Sequence, residues 1–219
     1  GVFNSIRELP DGDLIVGGSF TSVTRGTSTV SAAGLARLQA SGWTSQNSAP
    51  AIVRCMTFLD DAEFAIGGSF SSLAGTVVNN IAALRTPNPP SVKIIGSGCV
   101  GPGGLNALAN NNNPFLNRPF ALIATGMAPN SLALLIQGLT PTNVQLPAPM
   151  QQGCLLFTSQ DLLTSVPVLP NGTAPINVAI PDDPALLGAQ RMLFQFSNFD
   201  VGITNITTSN ALSVRFGDF

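Results

Sequence analysis

The sequence predicts an all-β protein, and three observations lead to that prediction. Charged residues make up only 9% of the 219-residue chain, so long helices held by i,i+4 ion pairs on their surfaces are not expected. The 22 glycines and 17 prolines recur along the chain in the way that turns separate many short strands. A segment of the first ninety residues also occurs twice, at a spacing typical of propeller blades or solenoid coils.

The two copies of the repeat are residues 6–22 and residues 56–72, which follow 50 positions later. Each copy has an acidic turn, an apolar strand, and a Gly-Gly pair followed by serine and phenylalanine. Asp and Gly favour tight hairpins, and paired glycines let two backbones approach closely. Each copy then ends in a related apolar strand, at residues 34–38 and 80–84. We therefore predict two β-blade-like repeats within residues 1–86.

A proline-rich linker is predicted at residues 87–95, because Pro87-Asn88-Pro89-Pro90 excludes both a helix and a central strand. Residues 96–219 contain short apolar runs between turns, which we interpret as seven to nine strands. That number of strands favours a β-sandwich or jelly-roll-like domain.

Two sequence patterns resemble known secreted proteins. The Asp-Gly…Gly-Gly-Ser-Phe-Thr…Gly-Leu-Ala-Arg-Leu pattern of residues 11–38 resembles the propeller-type repeats of large secreted bacterial surface proteins. The remainder resembles a β-rich C-terminal module that often follows those repeats, and whose function is uncharacterised. The segments that carry this second resemblance are Gly96–Cys99, Pro119–Leu122, Gly153–Leu156, Ile180–Pro184 and Ser209–Val214. The resemblance implies a propeller-like fold and secretion; such repeats usually form long arrays, whereas this chain has two.

Three cysteines allow at most one internal disulfide bond. Cys99 and Cys154 each follow a glycine, which suits a tight turn at a cross-link, so we predict a Cys99–Cys154 bond. Cys55 lies in a strand-like run and is predicted to be a buried free thiol. The alternative is that all three are reduced core cysteines. A disulfide bond would indicate an oxidising, extracellular or cell-surface setting.

The remaining composition argues against several partners. Lys93 is the only lysine, and nucleic acid or anionic membrane binding requires clustered basic residues. The longest apolar stretch, Pro119–Leu139, is interrupted by Gly126, Pro129 and Asn130 and cannot span a bilayer as one helix. We therefore expect neither nucleic-acid binding nor a membrane span.

No catalytic residue and no cofactor is predicted. The chain has no histidine and no tyrosine, which rules out Ser-His-Asp and Cys-His catalysis and histidine-ligated metals. The acidic residues fall in turn-like segments, where Asp accepts hydrogen bonds from the backbone. The alternative interpretation of five of them is a calcium site, at Asp11 and Asp13 or at Asp60, Asp61 and Glu63. Paired catalytic carboxylates are a further alternative, for which Asp182 and Asp183 are also candidates.

Several positions could carry glycan. Asn171 and Asn205 begin Asn-X-Thr sequons, which are acceptors in secreted proteins. The Ser/Thr-rich loop of residues 21–31 offers four O-linked candidates, Thr24, Thr27, Ser28 and Thr29, or is simply a polar loop. The single tryptophan, Trp43, either packs in a core or interface or forms a ligand platform.

These observations predict a non-catalytic structural subunit of an extracellular fibre or cell-surface assembly. Propellers close with about four to eight blades, so two repeats should leave strand edges that pair with another chain. The expected partner is a second copy of the same chain, in a homo-oligomer or helical polymer, with glycan as possible decoration. A secreted adhesion or carbohydrate-binding module is the alternative, and a carboxylate-dependent hydrolase is the weakest hypothesis.

Overall fold

The protein is described here by a computed structural model that covers residues 1–46, 52–60, 63–73, 75–86, 88–145, 153–188, 191–200 and 205–218. The chain divides into two compact units, Gly1–Pro89 and Pro90–Asp218. Across the described residues all regular structure is β except one 3-10 turn at Pro184–Leu186, so the all-β prediction is confirmed.

The first unit consists of short antiparallel strands in two sheets and two small hairpins. One sheet has the order β1-β2-β5-β6 and the other the order β11-β8-β7, while β3–β4 and β9–β10 are the hairpins. The strands are β1 (Val2–Glu8), β2 (Leu14–Ser19), β3 (Ser22–Arg25), β4 (Ser28–Ser31), β5 (Leu35–Gln39), β6 (Gly42–Ser45), β7 (Ile52–Asp60), β8 (Glu63–Ser69), β9 (Ser72–Leu73), β10 (Thr76–Val77) and β11 (Ile81–Arg85).

The repeated sequence forms repeated structure. The Gly18 N–H donates to the Gly34 carbonyl over 3.0 Å, and the Gly68 N–H donates to the Asn80 carbonyl over 2.9 Å. Gly34 and Asn80 have φ angles of 75° and 63°, in the left-handed region that glycine and asparagine tolerate best. β1 and β7 also change register at the same place in each copy, just before the residue opposite the first glycine of the pair. The two copies are therefore structurally equivalent along their paired strands, although the hairpin is shorter in the second copy (β9–β10) than in the first (β3–β4).

The two repeats share one apolar core. Gly17 lies at their junction: a Cβ atom there would be 2.5 Å from Val53 Cγ1 and 3.2 Å from Met56 Sδ, so only glycine fits without a shift of its neighbours. The buried members of this core are Leu9, Ile15 and Leu35 from the first repeat and Val53, Met56, Phe64, Ile66, Phe70 and Leu73 from the second. A smaller cluster around Val16 and Phe20 lies on the opposite side of the first sheet, beneath the β3–β4 hairpin.

The second unit contains a five-stranded sheet of order β12-β23-β22-β17-β20 and a three-stranded sheet of order β15-β16-β21, with pairs β13–β14 and β18–β19 beside them. Its strands are β12 (Ser91–Ile95), β13 (Val100–Gly101), β14 (Gly104–Leu105), β15 (Ala107–Asn110), β16 (Pro119–Thr125), β17 (Leu132–Gly138), β18 (Pro141–Gln145), β19 (Leu155–Thr158), β20 (Leu162–Pro167), β21 (Ala174–Ala179), β22 (Met192–Phe199) and β23 (Ile206–Arg215).

Both larger sheets of the second unit contribute to a single core. Phe120 and Leu122 come from the three-stranded sheet, and Leu135, Phe194 and Leu212 come from the five-stranded sheet. The rings of Phe120 and Phe194 meet edge to face, with their centroids 5.8 Å apart. Two antiparallel sheets that bury their inner faces against each other account for the stability of this unit.

The predicted linker of residues 87–95 extends too far. Its second half, Ser91–Ile95, forms β12, which pairs with the last strand through Val92 opposite Val214 and Ile94 opposite Leu212. The division between the units falls between Pro89 and Pro90. Proline therefore marks the boundary, and the strand begins immediately after the last proline.

Polar side chains replace backbone hydrogen bonds where β22 and β23 change register, between Gln195 and Ser197. The Gln195 side chain is fully buried. Its Oε1 accepts from the Phe157 N–H over 2.8 Å, and its Nε2 donates to the carbonyls of Leu155 and Ser209, also over 2.8 Å. This one amide group therefore joins β19 to β22 and β23.

A second buried amide joins the two larger sheets. Asn210 in β23 accepts from the Leu108 N–H through Oδ1 over 2.8 Å and donates to the Leu108 carbonyl through Nδ2 over 3.0 Å. The side chain makes the two bonds that a neighbouring strand would make with β15. The pairing satisfies backbone groups that would be costly to bury alone.

Candidate functional site

A disulfide bond joins Cys99 to Cys154, as the sequence predicts. Cys154 is buried, and the Thr208 N–H lies 3.0 Å from the Cys99 sulfur. The bond therefore joins the segment before β13 to the segment before β19, and Cys99 lies beside Thr208, near the start of β23.

The prediction that Cys55 is buried is wrong, since its thiol is free and exposed. The neighbouring residues of β7, Val53 and Met56, are buried in the core between the repeats. Cys55 points to the other side of its sheet, opposite Gly67. The apolar run made the strand evident but did not indicate which of its two sides is covered.

Asp11 and Asp13, the first two calcium candidates, both bind Arg37. Asp13 Oδ2 is 2.7 Å from Arg37 Nε, and Asp11 Oδ2 pairs with Arg37 Nη2. Asp11 Oδ1 also accepts from the Asp13 N–H over 3.1 Å, which is the turn-stabilising bond expected of Asp at such a position. The guanidinium thus occupies the place where a cation would bind, and the cluster is a structural ion pair.

The other acidic candidates lie at the β7–β8 connection. Asp60 and Glu63 face each other across the two strands, whereas Asp61 lies outside the described residues. Among the residues that the structure describes, no group of three or more His, Cys, Asp or Glu side chains is placed to hold a metal ion.

Replacing Arg37 with methionine is expected to lower the free energy of unfolding by about 1–2 kcal/mol. The change removes the positive charge that neutralises two partly buried carboxylates while retaining most of the aliphatic packing. Chemical denaturation, monitored by the fluorescence of Trp43, measures this change in the free energy of unfolding. The matched control is Arg54→Met, at an exposed arginine bonded to Ser69 Oγ, which should change stability by less than about 0.5 kcal/mol. Equal stability of the two variants would contradict the structural role of Arg37.

The two sequons differ in accessibility. Asn171 is exposed in a turn, and its Oδ1 accepts from Thr173 Oγ1 over 2.8 Å. In the second sequon Thr207 is buried, and its Oγ1 accepts from Asn106 Nδ2 over 2.6 Å. Asn205 itself is half-buried. In the folded chain only the Asn171 sequon presents both its asparagine and its threonine near the surface.

The O-linked candidates lie together on the β3–β4 hairpin. Thr24, Thr27, Ser28 and Thr29 are all exposed, and Thr24 and Thr29 share a hydroxyl hydrogen bond of 3.0 Å across the hairpin. Trp43 lies beneath this hairpin, where its Nε1 donates to the Thr24 carbonyl over 3.2 Å. The Trp43 ring is half-buried with its centroid 6.2 Å from that of Phe3, so tryptophan packs in a core rather than standing free as a platform.

The outermost strands of the first unit are β1, β6, β7 and β11, as far as the described residues extend. β1 is the most exposed of the longer strands, and its large apolar side chains Val2, Phe3 and Ile6 are exposed to solvent. One side-chain bond crosses from β1 to β7, where Asn4 Nδ2 donates to the Val53 carbonyl over 2.8 Å. An outer strand with exposed apolar side chains is the kind of surface on which another chain can add.

Comparison of the chain with protein family models, curated proteins and solved structures finds no significant match. Its class is therefore defined by its architecture, an all-β protein of two units, the second held by one disulfide bond. In the described ranges no helix has the length and apolarity needed to cross a membrane.

Proposed function

We propose that the chain is a non-catalytic structural subunit of an extracellular fibre or cell-surface assembly, and that it associates with copies of itself through the first unit. The observation that carries the proposal is the exposed outer strand β1, with Val2, Phe3 and Ile6 open to solvent. Apolar side chains on an outer strand are normally covered by another part of the chain, protected by neighbouring charged residues, or used for association with another chain.

The number of repeats supports the same function. A ring of blades closes with about four to eight members, whereas the described first unit contains two repeats. An interface that uses different surfaces on each partner continues indefinitely when its rotation does not close a ring. Association of that kind produces a fibre, the assembly that the resemblance to secreted surface proteins also favours.

The disulfide bond and the polar surface support an extracellular location. Disulfide bonds persist in oxidising compartments, and Cys99–Cys154 is formed within the folded second unit. With only 9% charged residues, the surface depends on neutral polar groups for hydration. Glycan at Asn171 or on the β3–β4 hairpin would add to that hydration.

Sedimentation velocity of the full chain over a wide concentration range, together with electron microscopy of the same samples, tests the proposed function. We expect oligomers that grow with concentration and elongated particles with a regular repeat. A single monomeric species at every concentration would overturn the proposal. A monomer that binds immobilised glycans would favour the adhesion hypothesis in its place.

A further inference from the structure

Each repeat of the first unit has two faces, which the repeat equivalence allows us to compare. The front face carries Phe3 and Ile6 in the first repeat, and the equivalent residues Val53 and Met56 in the second. The back face carries Leu9 and Leu35 in the first repeat, and the equivalent residues Leu59 and Ile81 in the second.

The junction between the two repeats is formed by one back face and one front face. Leu9 and Leu35, on the back of the first repeat, are 2% and 0% exposed, and Val53 and Met56, on the front of the second, are 0% and 2% exposed. All four belong to the same core. The structure therefore contains one complete example of how a back face receives a front face.

The same positions are uncovered at the two ends of the pair. Phe3 and Ile6 on the free front face are 48% and 50% exposed, and Leu59 and Ile81 on the free back face are 58% and 68% exposed. Terminal repeats of stacked proteins normally carry polar residues on their outer face. Here both ends keep the large apolar side chains that the internal junction buries.

The back face of the second repeat also keeps the glycine that permits close approach. At the internal junction Gly17 lies against Val53, and a Cβ atom on Gly17 would be 3.0 Å from Val53 Cβ. The equivalent Gly67 lies between Cys55 and Ile81 on neighbouring strands, and the nearest side-chain atom to its Cβ position is Cys55 Sγ, at 2.9 Å. A front face that docked here would bring Phe3, the equivalent of Val53, next to the Cys55 sulfur.

We infer that a second copy of this chain docks its front face on the free back face of the first, in the geometry of the internal repeat junction. The inference rests on the proposed function and specifies its contact as face-to-face stacking rather than pairing of strand edges. Phe3 and Ile6 of one copy cover Cys55, Leu59 and Ile81 of the next. Because the two surfaces are different, a stack of any length keeps one free front face and one free back face, so stacking continues.

A cysteine at position 3 tests this geometry, because Cys55 is the only free thiol of the chain once Cys99 and Cys154 are bonded. At the internal junction the residue equivalent to Cys55 is Ser5, which lies opposite Gly17 on the neighbouring strand, and a Cβ atom on Gly17 would be 3.0 Å from Val53 Cβ. In the same geometry a cysteine at position 3 of the docked copy would lie beside Cys55. Mild oxidation of Phe3→Cys should therefore give a ladder of covalent dimers, trimers and larger species on a non-reducing gel. Mass spectrometry should identify a peptide pair that joins positions 3 and 55. Phe3→Cys combined with Cys55→Ser should lose the ladder.

Other outcomes of the cross-linking experiment contradict the inference. A dimer that persists in the Phe3→Cys, Cys55→Ser double variant would show that two front faces meet, which is a symmetric contact and not stacking. Absence of the 3–55 link in a chain that still associates would overturn the face geometry and leave the proposed function standing. A chain that remains monomeric would overturn both.

A charge on the back face provides a second, independent measurement. Ile81→Lys places an ammonium group where the contact must be dry, and it should weaken association about tenfold or more in sedimentation experiments. Ile81 is already exposed in the single chain, so the fold should tolerate the change. The matched control is Ile94→Lys, at an equally exposed isoleucine of β12 in the second unit, which should leave association unchanged. Equal effects of the two lysines would contradict the inference.

Discussion

Replacing Gln195 with leucine is expected to lower the free energy of unfolding of the second unit by about 3–5 kcal/mol. Leucine has a similar volume but cannot form hydrogen bonds. It therefore removes the partner of the Phe157 N–H and of the Ser209 carbonyl, whereas the Leu155 carbonyl keeps a hydrogen bond from Thr208 Oγ1 over 3.1 Å. Each buried polar group left without a partner costs about 1–3 kcal/mol, so the loss should exceed that of an ordinary surface substitution.

The matched control is Gln137→Leu, in the neighbouring strand β17. Gln137 is also buried, but the hydrogen bond from its Nε2 to Thr164 Oγ1 is long, at 3.4 Å. We therefore expect the free energy of unfolding to fall by less than about 1 kcal/mol. Trp43 lies in the first unit, so far-ultraviolet circular dichroism with urea, or hydrogen exchange at the Phe157 amide, is the appropriate measurement. Similar stabilities of the two leucine variants would contradict the bridging role of Gln195.

Removal of the disulfide bond is expected to cost about 4 kcal/mol in the chain-entropy model. In the Cys99→Ser, Cys154→Ser double variant the unfolded chain regains the freedom of the loop of residues 99–154, which the bond closes across a separation of 55 residues. The loss should appear in the transition of the second unit during denaturation, and Trp43 fluorescence should report an unchanged first unit. Reduction of the unaltered protein should produce the same shift.

Cys55→Ser is the control for the disulfide experiment, since it removes an exposed thiol that is not bonded to another cysteine. We expect a change of less than about 0.5 kcal/mol. If the double serine variant unfolded at the same denaturant concentration as Cys55→Ser, the disulfide bond would have no part in stabilising the second unit.

The repeat and the all-β class could be predicted from the sequence because their signals are local. An acidic turn, an apolar strand and a Gly-Gly pair specify a hairpin within about twenty residues, and two copies of one pattern specify two copies of one structure. The left-handed backbone at Gly34 was also open to prediction. Its equivalent, Asn80, is one of the few other residues that tolerate this conformation.

The strand β12 could not be predicted in the same way, because its partner is distant. Val92 pairs with Val214, more than a hundred residues further along the chain, and the nearby prolines indicate a linker. Residues 91–95 carry only a short apolar signal on their own. Long-range pairing decides whether such a segment is a strand.

The polar residues of β22 were missed for a different reason. Gln195 and Asn198 resemble surface residues by type, yet both are buried. The available signal was their position inside the apolar run of residues 192–199. Polar groups there must find partners, but the identity of those partners depends on strands that sequence patterns do not align.

The pairing of β12 with β23 has a mechanical consequence. Ser91 lies opposite Arg215, so the chain enters and leaves the second unit at the same end of one antiparallel pair. Tension applied at this end would break the hydrogen bonds between β12 and β23 one pair after another, beginning at Ser91 and Arg215, and not all at once. On the β12 side the Cys99–Cys154 bond would then carry the load, because it ties Cys99 covalently to the segment before β19. Only the short segment from Ser91 to Cys99 could extend on that side.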